Sequence, residues 1–142
     1  MLEQAVGTLH IRALSPGLHD ITADTHAWLT DQPIQTGLLT LFCTHTSASL
    51  LIHENGAPAA RRDTEAYFAR IAPQDPSTYE HGDEGPDDMP AHLRTALTQT
   101  SIAIPVQHGR MVLGTWQGIF LFEHRDVCPE RTIALHLIGE RA

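Results

Sequence analysis

The sequence contains no lysine: all nine of its basic residues are arginine. That absence excludes lysine Schiff-base chemistry and the lysine of a phosphate-binding P-loop. Basic residues are also outnumbered by seventeen acidic ones, and the formal net charge of -8 argues against a general DNA or RNA binder, whose partner would be repelled. No apolar run approaches the ~20 residues of a bilayer-spanning helix, because polar residues around Thr40 and Thr44 break the longest one. A soluble protein independent of membranes is expected. Cysteine is scarce, with only Cys43 and Cys128, and no basic, apolar leader opens the sequence. Two free thiols in a cytoplasmic protein are therefore the expectation. Charged residues amount to 18% and hydrophobic ones to 42%, a globular composition, and 142 residues suit one domain spanning the whole chain.

What is present reads mostly as strands. Leu9–Leu14 and Leu18–Ile21 flank the turn Ser15-Pro16-Gly17. A short helix follows over Asp20–Gln32, stopped by Pro33. Gly37 onward is apolar on both alternating faces, as in a buried strand; Thr44-His45-Thr46-Ser47 interrupts it, and the strand resumes from Leu50 to His53. Pro58–Ile71, with proline near its start and Pro73 just beyond its end, predicts a second helix. Pro73–Pro86 is a long acidic loop, and Asp88 opens a third helix running to about Gln99. Strands are expected over Ser101–Val106, Met111–Glu123 and Thr132–Ile138. Helices that do not alternate with strands imply an α+β fold, a largely antiparallel β-sandwich with about three short helices.

Ten histidines are many for so small an acidic chain, and they supply ligand types for metals and proton transfer. His45 lies in a polar cluster at the end of a buried strand, with Glu54-Asn55 closing the next segment. His81 sits in the acidic loop and His92 on the third helix, with Asp83, Glu84, Asp87 and Asp88 between them. Imidazoles beside carboxylates suit a divalent ion, although neither HExxH nor CxxC is present and a solvated acidic loop is the simpler account of the spacing. Thr115 and Gln117 flank Trp116 between two glycines, an arrangement that fits either a structural bulge or polar donors in a pocket. Glu123-His124-Arg125 reads as an exposed charge cluster.

Taken together, His-Thr-Ser-Ala-Ser-Leu from His45, Glu-Asn at Glu54, Tyr-Glu-His at Tyr79, Asp-Asp-Met-Pro-Ala-His at Asp87 and Gly-Thr-Trp-Gln-Gly-Ile at Gly114 resemble the YjbQ family, also called the secondary thiamine-phosphate synthase family. The resemblance runs from about Gly17 to Glu140. It implies an antiparallel sandwich, a homotrimer with sites near subunit boundaries, a histidine-rich site for a divalent metal ion such as Zn or Mg, and formation of thiamine phosphate from a pyrimidine pyrophosphate and a thiazole phosphate. Carried over, it implies His45, His81, His92 and Asp88 at the metal and Glu54, Asn55, Asp63, Thr115 and Gln117 in catalysis. Leu97-Thr98-Gln99-Thr100 departs from the family, which usually has glycine before the Thr or Ser; this puts only the helix end in question.

Departure of pyrophosphate requires its developing charge to be neutralised by a divalent cation or by arginine, the only basic side chain available. Arg62 and Arg110 are the candidates, with Ser47 and Trp116 as further substrate contacts. Two other classes fit the same residues: a metal-dependent hydrolase of a small phosphorylated metabolite with Glu54 or Asp63 as general base, and a non-enzymatic trimeric module that binds such a metabolite.

Overall fold

In the computed structural model, which describes residues 1–142, the elements run β1 (Glu3–Ile11), β2 (Gly17–Asp20), α1 (Thr22–Thr30), β3 (Thr36–Cys43), β4 (Ala48–Glu54), α2 (Pro58–Ile71), α3 (Asp88–Leu97), β5 (Ser101–Gln107), β6 (Arg110–Met111), β7 (Gln117–Glu123) and β8 (Arg131–Glu140). The strands form one five-stranded sheet in the order β1-β8-β3-β5-β6 and one three-stranded sheet in the order β2-β7-β4, all pairs antiparallel. This is the α+β sandwich that the strand-rich pattern predicts.

Alternation explains the packing. β3 turns Leu39, Leu41 and Cys43 inward, β8 turns Ile133, Leu135 and Leu137, and Leu50, Ile119 and Leu121 of the other sheet meet them in one buried cluster. Gly37 and Gly139 face each other across β3 and β8. A Cβ on either would collide with the opposing backbone, so the two strands can approach there only because both lack one.

Two expected limits shift. β1 begins at Glu3 rather than Leu9, its alternating half-buried positions pairing with β8 along the whole strand. The single strand expected over Met111–Glu123 is two, because Gly114–Gln117 forms a turn closed by Gln117 N–H donating to Gly114 C=O at 3.0 Å.

The topology brings two sheet-to-sheet crossings to one end of the sandwich. Residues 44–47 carry the chain from β3 in one sheet to β4 in the other, and residues 124–130 carry it back from β7 to β8. The stretch after α3 is stitched between the sheets by Leu50 N–H to Gln99 C=O at 2.6 Å and Cys43 N–H to Thr100 C=O at 2.7 Å. The helix and its preceding acidic loop are thereby held over both crossings.

Candidate metal centre

Asp88 and His92 stand one turn apart on α3 and so share a face. The acidic loop folds back over that face and delivers His81 and Glu84. The ligand atoms of His81, Glu84, Asp88 and His92 all lie within 4.8 Å of one another. Asp88 Oδ2 is the common point, 3.1 Å from His81 Nε2 and 3.0 Å from His92 Nε2, and Glu84 Oε2 is 3.5 Å from His81 Nε2. Asp88 is buried, whereas His81 and Glu84 are exposed, so the group opens to solvent on the loop side.

Arg125, from the β7–β8 crossing, fixes the carboxylates. Its Nε donates to Asp87 Oδ2 at 2.9 Å, one terminal nitrogen donates to Asp88 Oδ1 at 2.8 Å, and the other to Glu84 C=O at 3.1 Å. Asp88 is thus held with one oxygen on Arg125 and the other turned to both imidazoles. Burial alone would raise the Asp88 carboxyl; the charges of His92 and Arg125 and hydrogen bonding with Glu84 and His81 outweigh it and bring the group below its ordinary value. Asp87 behaves likewise, burial being overcome by the Asp126 N–H and by Arg125.

His92 Nδ1 lies 2.8 Å from the carbonyl of Thr46, to which it can only donate. In the neutral ring this leaves a lone pair on Nε2, the nitrogen that faces Asp88. Thr46 is itself held in place: the next residue's carbonyl, on Ser47, accepts from Arg131 at 3.0 Å, and Arg131 is locked to Glu123 by bonds of 2.8 and 2.6 Å. That pair is almost wholly buried, at 2% and 0% side-chain exposure. On the other side of His92 a cleft of about 530 Å³ is lined by His45, Thr46, His92, Thr95, Ala96, Thr98 and Thr100.

A sequence profile of the family described as UPF0047 protein YjbQ-like matches residues 8–140. The chain belongs to the YjbQ-like family. It is 46% identical over 134 residues to UPF0047 protein YjbQ of Escherichia coli O157:H7, an alignment covering 94% of this chain and 96% of that protein. It is also 46% identical over 132 residues to a UPF0047 protein of Synechocystis sp., covering 93% and 90% of the two chains. In fold it is similar to the crystal structure of a YbjQ-like protein from Sulfolobus solfataricus P2, with a TM-score of 0.89, 24% identity and coverage of 99% and 100%.

The other candidate residues of this YjbQ-like chain fall into separate places. His45 is near the cluster but outside it: its Nε2 accepts the Thr132 N–H at 2.8 Å, and burial, with the charge of Arg131, pushes the ring below the ordinary imidazole value. Ser47 contributes its carbonyl to Arg131. Glu54, Asn55, Thr115, Trp116 and Gln117 gather at the opposite end of the β4–β7 pair, six residues along from the Ala48–Glu123 rung, hence ~20 Å away at ~3.3 Å per residue. There Glu54 Oε2 accepts from Gly56 and Ala57 N–H at 3.0 and 2.9 Å, Gln117 Oε1 accepts from Gly114 N–H at 2.8 Å, and Trp116 is 65% exposed. Arg62 and Asp63 are exposed on α2, and Arg110 lies beside His26, Gln35 and His108. Within one chain none of these reaches the His81–His92 group.

Glu123-His124-Arg125 is not the exposed charge cluster that its composition suggests. Glu123 and His124 are each 1% exposed, because Arg131 neutralises the first and Ser49 Oγ bonds His124 Nε2 at 3.0 Å. Burial, with the charges of Arg94 and Arg131, lowers His124 to about 3, so it is neutral. Arg125 and Arg131, which organise the site, escape a reading of the sequence alone since their partners lie more than a local window away. The Asp88–His92 spacing of four is a signal for the carboxylate and the imidazole and not for either arginine.

Proposed function

We propose that the chain is an enzyme of small phosphorylated metabolites that works with a divalent ion held by His81, Asp88, His92 and Glu84, and that its reaction is the one the family resemblance implies, joining a pyrimidine pyrophosphate to a thiazole phosphate. One observation carries the metal assignment. With His92 Nδ1 donating to Thr46 C=O, Nε2 is the nitrogen that faces Asp88 Oδ2 at 3.0 Å, and that oxygen also meets His81 at 3.1 Å; a cation held between them takes the place of the Nε2 proton. Two imidazoles, a carboxylate and an exposed second carboxylate form a donor set suited to Zn, whereas Mg prefers oxygen alone. When bound, such an ion supplies positive charge to a departing pyrophosphate or a polarised phosphoryl oxygen.

The chain's own groups have distinct parts in this. Thr46 C=O fixes the His92 tautomer, the role that partners of metal-bound histidines usually have. Arg125 orients Asp88 and closes the loop onto it. The open side, between His81 and Glu84, leaves room for substrate.

Self-association, as the homotrimer that the resemblance implies, is supported by the outer face of the five-stranded sheet. The middle outward positions there include Val6, Leu38, Phe42, Ala103, Ala134 and His136 and carry no Asp, Glu or Arg, with Val6 77% and Phe42 46% exposed. Contact between copies centred on these middle positions brings no carboxylates together, despite the net charge of -8.

The test is product formation from the two phosphorylated substrates before and after chelation. Turnover that disappears with EDTA and returns with Zn supports the reading. Chelator-resistant turnover removes the metal from it, and no product with metal-loaded protein removes the reaction.

A further inference from the structure

The cleft beside His92 shares only that residue with the proposed metal centre. None of its lining residues is Asp, Glu or Arg; it offers the side chains of Thr46, Thr95, Thr98 and Thr100 with His45. At about 530 Å³ it falls within the ~300 to 1,000 Å³ of small-molecule sites. Two of its polar groups are uncommitted. His45 Nε2 accepts the Thr132 N–H, which puts the ring proton on Nδ1, and no protein acceptor takes that Nδ1–H. Thr95, 7% exposed, keeps its hydroxyl just beneath the lining, closed to solvent and without a hydrogen-bond partner, so that rotation of its side chain is what brings it to a ligand.

The nearby cations are committed elsewhere. Arg125 is taken up by Asp87 and Asp88, and Arg131 by Glu123; Arg94 donates to Ala72 C=O and lines a different cleft, with Glu65 and Phe68. An anion entering the cleft would find hydroxyls and an imidazole N–H but no free arginine, and would sit beside the Asp88 carboxylate. A neutral group with an acceptor and a donor suits the wall better, because it can take the His45 proton and give its own to a threonine hydroxyl.

We propose that this cleft recognises the uncharged part of the substrate, a small planar amide or nitrogen heterocycle whose acceptor receives the His45 Nδ1–H and whose N–H is received by the threonine wall. The proposal rests on the metal-centre reading only in placing that ring next to the reacting end of the substrate. His45 and Thr95 are then specificity residues, and the charged end of the substrate is left to the His81 side.

The experiment titrates the full chain, labelled with 15N in its histidines, with 2-pyridone, an uncharged ring that carries adjacent carbonyl and N–H. Binding in the cleft shifts the His45 ring resonances, and His45→Gln and Thr95→Val each weaken it by roughly 3- to 10-fold, the loss of one neutral hydrogen bond. Thr95→Val is nearly isosteric and keeps the test meaningful if His45→Gln folds poorly. Zn titrations of the same variants are run in parallel and should match wild type, so failure of metal binding with intact 2-pyridone binding overturns the metal centre and supports the cleft. Absence of a His45 shift at millimolar 2-pyridone, displacement of 2-pyridone by inorganic phosphate, or wild-type affinity in both folded variants would each overturn the proposal.

Discussion

His92 and Thr46 are joined by a 2.8 Å hydrogen bond across 46 residues of sequence, from a helix to the crossing between two sheets. Through it the orientation of a candidate ligand depends on the β3–β4 crossing, and through Ser47, Arg131 and Glu123 on the buried ion pair beneath it. The site is therefore set by the sandwich and not by α3 alone.

Breaking that buried pair should be severe. Arg131→Met leaves the Glu123 carboxylate, 0% exposed, without its cation, and a loss of about 3 to 5 kcal/mol in unfolding free energy is expected. Replacing both residues by apolar ones of similar volume should lose less than the single change. Urea unfolding of the two variants checks this, and equal losses would show that the two charges are not coupled.

Arg125→Ala should destabilise the chain by about 3 kcal/mol, at the low end for a buried pair because the Arg125 side chain is 26% exposed. The pH dependence follows from the carboxylates. Asp87 and Asp88 are held below their ordinary value of 3.8, so their contribution is present above that value and is lost as pH falls through the lower folded values. Unfolding curves carried from about pH 5 to about pH 2, across and below that value, should show a steep acid loss in wild type that is shallower in Arg125→Ala.

His124 acts in a higher window. Its folded value is depressed from 6.5 to about 3, so below pH 6.5 the unfolded chain takes up a proton that the folded chain refuses. Stability is complete above 6.5 and falls as pH drops toward 3, with a slope approaching ~1.4 kcal/mol per pH unit from this residue. His124→Gln should flatten that slope; an unchanged slope would assign it to other groups.

The elements were legible where local chemistry decides them. Pro58 at the start and Pro73 beyond the end mark α2 at the limits it has, Pro58–Ile71, and the alternation of β3 and β8 shows which side chains form the core. The split of the long strand before β7 was not legible, since it depends on the Gln117 side chain bonding back to Gly114. In the site, Asp88 and His92 share a helix face by spacing, but grouping His45 with them fails to foresee that its Nε2 is taken by Thr132 N–H. Arg125 was missed for the same reason in reverse: next to Glu123 and His124 it resembles a solvated charge, and its partners Asp87 and Asp88 are 38 and 37 residues away.

The uncharged sheet face makes a separate prediction about assembly. Phe42→Arg places a cation at an outward position of β3 that is 46% exposed, where a lone chain tolerates it with a change within about 0.5 kcal/mol. Light scattering should show wild type as an oligomer and the variant as a monomer of unchanged fold. A wild-type monomer at micromolar concentration would contradict self-association.

Metal stoichiometry of the purified chain, measured by elemental analysis together with melting temperature for wild type, His81→Ala and His92→Ala, bears most directly on the metal centre. One divalent ion per chain in wild type, lost or strongly weakened in both variants while each remains folded, is the predicted result. Wild-type metal content in His92→Ala, with only a small drop in melting temperature, would contradict it and leave the His81–His92 group as a hydrogen-bonded fastening of the acidic loop.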